Sequence, residues 1–182
     1  PTGIYELKIA ILNDTHCGIR NSSDIFTKYQ ENFYNDIFWP YIEDNDIQHI
    51  LHLGDYYDHR KFINFKALNS NRKVFLDRLR ENNMTMDIIP GNHDTFYKNT
   101  NDLNSLKELL GHFTKEVNII MEPTVLQYGS LSMGLIPWIC QENYDKSMNF
   151  INTCSADWIG AHLELGGFEV MRGVTHSGGM DR

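Results

Sequence analysis

The segment 49–58 constrains this chain most, because its apolar run stops at a glycine and then presents a carboxylate. Residues 49–53 have the sequence HILHL, which predicts a short buried strand. Gly54 lets the backbone turn sharply, so that Asp55 would lie just beyond the carboxyl end of the strand. Open α/β sheets bind their ligands at that edge. A carboxylate placed there can bridge two cations.

Two further segments have the same design, an apolar run followed by side chains that can bind metal. The polar residues concerned are Asp14 and His16 after residues 9–12, and Asn92, His93 and Asp94 after residues 86–89. Because parallel strands end at a common edge, we expect all three groups to meet. Carboxylate and imidazole suit Mn²⁺, Fe or Zn²⁺. If Asp14 and His16 stood alone, a capping aspartate and a surface histidine would be the simpler interpretation.

Length and charge limit the other possibilities. With 182 residues, of which 41% are hydrophobic, the chain has enough apolar side chains for one domain but not for two. We therefore expect a single domain over residues 1–182. The net charge of −8 argues against a broadly basic surface that would bind nucleic acid unaided.

The cysteines and the hydropathy concern the cellular environment. Cys17, Cys140 and Cys154 are odd in number and widely spaced, which indicates neither a disulfide framework nor a structural zinc site. No apolar run approaches the roughly 20 residues of a membrane span, and the first residues lack a signal pattern. We expect a soluble cytoplasmic protein without membrane attachment.

The remaining pattern predicts alternating strands and helices. An apolar stripe at a four-residue step predicts a helix over 25–41 whose aromatic side chains lie in the core, with a kink or end near Trp39 caused by Pro40. The stripe consists of Ile25, Tyr29, Phe33, Ile37 and Tyr41, and Phe26 and Phe38 widen it. Further helices are predicted over 64–82, 103–110 and 144–153. We predict a central strand over 7–12, strands over 117–121, 124–128 and 131–136, a buried strand over 158–161, and a hairpin over 165–172 centred on Gly166 and Gly167.

The order of the polar blocks resembles a known pattern. Residues 14–16, 54–55 and 91–94 are similar to the D-x-H, G-D and G-N-H-[DE] blocks of the calcineurin-like metallophosphoesterases. Segments 54–61, 135–143 and 161–168 resemble the nuclease subunits of SbcCD-type complexes, most closely the recombination endonuclease subunits of tailed phages. The resemblance implies an α/β fold with a two-sheet β-sandwich flanked by helices.

The resemblance also implies roles for individual residues. Two divalent cations, Mn²⁺ before Mg²⁺, Fe or Zn²⁺, would be held by Asp14, His16, Asp55, Asn92 and His162. His93 would steady the developing charge and protonate the leaving oxygen, and Asp94 would orient His93 or neighbouring groups. Apart from the resemblance, the run of cationic side chains His59, Arg60 and Lys61 near the proposed site gives a weaker hypothesis, in which His59 and Arg60 above all contact substrate phosphates. Nuclease relatives often carry histidine where this chain has Asp58, which sets His59 one position off.

The implied activity is hydrolysis of DNA phosphodiester bonds by an exonuclease and endonuclease subunit in recombination or repair. DNA, an SbcC-like coiled-coil ATPase and a second copy of the chain are the implied partners. The family's last block, G-H-x-H, which supplies an imidazole to each metal, does not occur in the 182 residues. We therefore expect a C-terminally truncated domain with an open sheet edge. A phosphatase of small phosphoesters or phosphoproteins, and a non-catalytic interaction module, remain the alternatives.

Overall fold

A computed structural model describes residues 7–180, so the outermost residues of the predicted domain, 1–6 and 181–182, lie outside it. The strands form a four-stranded parallel sheet in the order β1-β2-β3-β4, a three-stranded sheet in the order β5-β6-β7, and a hairpin of β8 and β9. In the second sheet β5 and β6 are antiparallel, whereas β6 and β7 are parallel. The strands are β1 (Ile9–Leu12), β2 (His49–His52), β3 (Thr85–Ile88), β4 (Val117–Ile119), β5 (Thr124–Tyr128), β6 (Leu131–Ile136), β7 (Trp158–Ala161), β8 (Glu169–Met171) and β9 (Val174–Thr175).

Two long helical segments connect the strands of the parallel sheet. Each consists of two α-helices joined by a π-helical stretch: α1 (Asp24–Phe33), Tyr34–Phe38 and α2 (Trp39–Asp44), then α3 (Phe65–Asn71), Arg72–Leu76 and α4 (Asp77–Glu81). The shorter helices are α5 (Ser105–Leu110) and α6 (Tyr144–Thr153), and a left-handed turn occupies Ile19–Ser22. Among residues 7–180 no helix is both long and apolar enough to cross a membrane.

Alternation along β2 explains why an unbroken apolar run is needed there. Ile50 and Leu51 are both fully buried, yet they belong to different hydrophobic clusters. Successive side chains of a strand point to opposite faces, so Ile50 packs against the helical layer and Leu51 against the second sheet. The sheet is thus covered on both faces, and the predicted two-sheet sandwich flanked by helices is confirmed.

A buried carboxylate ties the two sheets together. Asp87 on β3 accepts a hydrogen bond from the Tyr128 hydroxyl on β5 at 2.7 Å and one from Asn118 at 2.7 Å. His49 Nε2 lies 2.8 Å from the same carboxylate. Burial alone would raise the pKa of Asp87, but the hydrogen bonds from His49, Asn118 and Tyr128 outweigh burial and hold the pKa below its ordinary value. Asp87 is therefore ionised and fully partnered between the sheets.

The predicted core stripe of the first helix is wrong by one position. The five side chains at the four-residue step are 40–66% exposed: Ile25, Tyr29, Phe33, Ile37 and Tyr41. The predicted burial of Phe38 is confirmed, whereas Phe26 is 40% exposed. Tyr34, Phe38 and Ile42 are buried, and they follow the same four-residue step one residue later. Consecutive positions on a helix lie about 100° apart, so a helix with two adjacent apolar stripes can bury either one.

Local details of other elements also differ from prediction. Pro40 falls in the first turn of α2, where a missing N–H is tolerated, so the helix continues past Trp39 and only its hydrogen bonding changes. Within residues 7–180, β1 is an edge strand rather than a central one. β7 is also an edge strand, and Trp158 and Ile159 are exposed rather than buried. The hairpin turns at Arg172 and Gly173 instead of at the predicted glycines.

We expect Asp87→Asn to lower the free energy of unfolding at neutral pH by about 1–3 kcal/mol, because a charged acceptor of several hydrogen bonds is lost. A lowered folded pKa means that the contribution is complete above the ordinary value of 3.8 and is lost as the pH falls through the folded value. The difference in unfolding free energy between the wild type and Asp87→Asn should therefore become smaller in acid. Urea titration followed by circular dichroism at several pH values measures this difference.

Asp102→Asn is the matched control, since that side chain is exposed. Equal losses of stability for the two variants would contradict the conclusion that Asp87 links the two sheets.

Candidate metal centre

The loops that follow β1 and β2 continue side by side beyond the sheet. The Asp14 amide donates to the Gly54 carbonyl at 3.0 Å, and the His16 amide donates to the Asp55 carbonyl at 3.0 Å. Asp14, His16 and Asp55 all have positive φ angles, between 44° and 54°. Such angles cost energy for residues other than glycine, and they persist only where the surroundings enforce them. The paired loops therefore hold these three side chains in one place.

Two glycines allow the third loop to approach. A Cβ atom at Gly54 would lie 2.7 Å from the Gly91 amide nitrogen and 2.8 Å from His162 Nδ1. A Cβ atom at Gly91 would overlap the Asp55 carboxylate. The loops after β2 and β3 can touch only because both positions lack a side chain. This explains why each of the two sequence blocks contains a glycine.

The buried Asp55 carboxylate is the centre of the site. Its Oδ2 atom lies 3.6 Å from His16 Nε2 and 3.5 Å from His162 Nε2. His16 Nε2 also lies 3.4 Å from Asp14 Oδ1, and His162 Nε2 lies 3.0 Å from Asn92 Oδ1. The structure thus brings together all five predicted ligands. Ligand atoms lie within 4.8 Å of one another in two groups, Asp14 with Asp55 and His162, and His16 with Asp55 and His93.

The donor set around His162 fits a cation. His162 Nδ1 lies 2.9 Å from the Leu53 carbonyl, which can only accept a hydrogen bond, so Nδ1 carries the proton. The other ring nitrogen, Nε2, faces two further acceptors, the oxygens of Asn92 and Asp55. Three acceptors without a hydrogen between them repel one another unless a cation lies among them. Metal-ligating histidines commonly donate their other N–H to a backbone carbonyl in this way.

The predicted catalytic pair is held by two different sets of contacts. His93 Nδ1 lies 2.6 Å from the Asp58 carbonyl, which leaves Nε2 free to meet a substrate, and its ring stands edge-on to His16 with centroids 5.0 Å apart. Asp94 is fully buried and accepts backbone hydrogen bonds from Gly91, Tyr56 and Tyr57 at 2.9–3.3 Å. Asp94 therefore fastens neighbouring groups, and Asp58 orients His93.

Burial dominates the electrostatics of Asp94. It raises the pKa of Asp94 to about 6, against the backbone hydrogen bonds from Tyr57 and Gly91 and with a smaller contribution from the nearby Asp55 charge. The carboxylate remains mostly ionised at neutral pH and can keep its three backbone donors.

His52 is a supporting residue that sequence reasoning missed. It is fully buried, its Nδ1 accepts a hydrogen bond from the Gly54 amide at 3.2 Å, and its Nε2 lies 3.0 Å from the Thr15 hydroxyl. It thereby joins the first two metal-binding loops. Burial, followed by the charges of His162 and His16, lowers the pKa of His52 to about 3. The available signal was a histidine inside an apolar strand directly before Gly54, since buried polar groups need partners.

The two weaker predictions lie beside the centre. Arg60 donates from Nη1 to the carbonyl and hydroxyl oxygens of Thr95, both at 3.2 Å. His59 stacks on Phe62 with ring centroids 4.2 Å apart. Arg60 thus fastens the loop after β3, and contact of either residue with phosphate stays a prediction.

Comparison with known proteins shows the family of the chain. Residues 7–162 match the pattern of the calcineurin-like phosphoesterases, and the chain belongs to that family. It is 31% identical over 172 residues to exonuclease subunit 1 of Enterobacteria phage T4, a match that covers 94% of this chain and 50% of the phage protein. The chain therefore spans about half the length of that relative.

Among solved structures, the nuclease MPE of Pseudomonas putida is similar at 19% identity and a TM-score of 0.39. The match covers 70% of this chain and 52% of that nuclease.

We expect calorimetric titration with Mn²⁺ to find two sites that share Asp55, one with Asp14 and His16 and the other with Asn92 and His162. His162→Gln should abolish one site and His16→Gln the other, whereas Asp55→Asn should abolish both because its carboxylate is shared. Asp36→Asn, which removes an exposed carboxylate, is the matched control. Retention of both sites in Asp55→Asn would contradict a shared bridging ligand.

We also expect an effect of His52 on the pH dependence of stability. The unfolded imidazole takes up a proton below its ordinary value of 6.5, whereas the folded one does so only near 3. This stability is present above 6.5 and is lost as the pH falls toward 3, by at most about 1.4 kcal/mol per pH unit. His52→Asn should flatten the profile of unfolding free energy by that amount. His112→Asn, at an exposed histidine, should leave the wild-type profile, and parallel profiles for all three proteins would refute the expectation.

Proposed function

We propose that the protein to which this chain belongs hydrolyses DNA phosphodiester bonds with two divalent cations held around Asp55. The main support is the cluster of acceptor atoms in which His16 Nε2 and His162 Nε2 both face Asp55 Oδ2 at about the same distance. Two cations can share one carboxylate in this arrangement. Membership in a phosphoesterase family and the similarity to a phage exonuclease subunit support the same choice.

The proposed division of the ligands between the two cations follows their shortest mutual contacts. Asp14 and His16 would hold one cation, and Asn92 and His162 the other. When bound, such cations lower the pKa of a coordinated water and offset the charge on phosphate oxygens. The protein itself fixes the ligand directions, since Leu53 orients His162 and the paired loops orient Asp14 and His16.

His93 is the group proposed to assist the leaving oxygen. Its backbone amide donates to Asp55 Oδ1 at 2.8 Å, which fixes its place relative to the bridging carboxylate. The Asp58 carbonyl accepts from Nδ1 and orients the ring, so that a proton on Nε2 would pass to the departing alkoxide. A deoxyribose oxygen is a poor leaving group, and this proton matters most for such a substrate.

The finer assignments follow from resemblance. Mn²⁺ is the proposed metal, and a role in recombination or repair with a coiled-coil ATPase partner is proposed because the phage relative is a subunit of an exonuclease. The net charge of −8 gives such a partner a physical role, since a basic surface would have to come from elsewhere to bind long DNA. A homodimer is compatible with the same arrangement.

In Mn²⁺, we expect His93→Asn to reduce cleavage of an oligonucleotide about 10²- to 10⁴-fold in kcat, the usual contribution of a general acid. Hydrolysis of bis(4-nitrophenyl) phosphate should fall much less, because nitrophenolate leaves without a proton. Steady-state kinetics on both substrates measure the contrast, with Asp55→Asn as the variant that loses both activities.

Mono(4-nitrophenyl) phosphate tests the class of substrate. Hydrolysis of this monoester without cleavage of DNA would overturn the nuclease in favour of a phosphatase. Failure to bind Mn²⁺ would favour an interaction module instead.

A further inference from the structure

A cavity of about 190 Å³ opens beside the metal centre. One wall comes from the loop 57–63, and the other from Phe96 and from residues around the start of α5. Most of the lining is apolar, and its walls include His59, Phe62, Phe96, Leu103 and Leu109. We call this cavity the aromatic pocket. It is smaller than the roughly 300–1,000 Å³ of pockets that take a whole drug-sized ligand, so it suits one flat ring system.

The aromatic groups of the pocket are arranged for stacking. His59 and Phe62 lie nearly parallel, at 25° between ring planes and 4.2 Å between centroids. Phe62 is nevertheless 62% exposed, so much of its ring surface remains accessible to a further planar group. Lys61 of the same loop reaches across to Phe96 on the opposite wall, with its Nζ 5.4 Å from the ring centroid, and adds a positive charge beside the stacking surface.

The pocket is fastened to the metal centre at two points. The carbonyl of Asp58, which precedes His59, contacts His93 Nδ1 at 2.6 Å. Arg60 donates twice to Thr95, two residues beyond His93. These contacts fix the loop 57–63 against the loop that carries His93, so the pocket and the metal centre are built partly from the same two loops.

We infer that the aromatic pocket receives one unpaired nucleobase of the strand whose phosphate lies at the metal centre. The inference rests on the proposed function and narrows its substrate class to single-stranded DNA or to ends that can open. A paired base cannot enter a pocket of one ring system without leaving its duplex. Stacking of a base on an aromatic side chain contributes about 1–3 kcal/mol, and the nearby Lys61 can offset phosphate charge.

Binding of a fluorescently labelled single-stranded oligonucleotide to the whole chain tests this, with Ca²⁺ replacing Mn²⁺ so that binding is measured apart from cleavage. Phe62→Ala should weaken binding roughly 5- to 150-fold, the range that one stacked base contributes. Phe65→Ala is the matched control, because Phe65 is 86% exposed and lies outside the pocket. Circular dichroism verifies that both variants remain folded.

A scan with single abasic sites completes a double-mutant cycle. Removing the base at one position should weaken wild-type binding about as much as Phe62→Ala does. Combining that abasic site with Phe62→Ala should weaken binding no more than either change alone. Losses that multiply, or equal binding by wild type and Phe62→Ala, would overturn the inference and leave the pocket to another occupant such as a protein side chain.

The two proposals fail in different ways. Cleavage of DNA in Mn²⁺ without coupling between Phe62 and a base would refute base binding in the aromatic pocket and leave the proposed nuclease activity standing. Coupling without any cleavage of DNA would refute the nuclease and leave a base-binding pocket. Absence of both would refute both.

Discussion

The structure depends above all on three loops approaching closely enough for one carboxylate to face two imidazoles. Gly54 and Gly91 permit this approach, since a methyl group on either would overlap backbone or ligand atoms of another loop. The parallel sheet supplies the starting positions, because β1, β2 and β3 are paired in register and end together. If the loops were a few tenths of a nanometre further apart, Asp55 would serve only one neighbour.

Convergence of this kind has an electrostatic cost that the surrounding residues offset. Asp55 and Asp94 are both buried, and their charges oppose each other. Asp94 is satisfied by three backbone donors, whereas Asp55 has one backbone donor and faces imidazole nitrogens. His52 stays neutral beneath the loops and joins them by hydrogen bonds without adding charge. The Asp55 carboxylate therefore keeps acceptor capacity at the place where a cation would be bound, whereas that of Asp94 is used by its backbone donors.

Sequence reasoning succeeded for elements with one strong pattern and failed where two patterns compete. Strand β6 and helix α6 begin and end where predicted, since turn residues and periodicity agree there. The first helix carries two apolar stripes one residue apart, and only packing against Phe75 and its neighbours selected Tyr34 and Phe38. For β1 and β7, apolar composition indicated burial, but position in a sheet decides burial, and both lie at edges of the described sheets.

The sequence by itself determined the ligand types and their order, because each block joins an apolar strand to a polar group that can bind metal. Tertiary structure alone decided which contacts orient those groups. The Asp58 carbonyl, rather than Asp94, orients His93, and Arg60 donates its hydrogen bonds to Thr95. Such contacts join residues about 35 positions apart. They depend on the geometry of the loops, and this geometry produces no periodic pattern in the sequence. The aromatic pocket beside the centre likewise arises only when those loops are packed together.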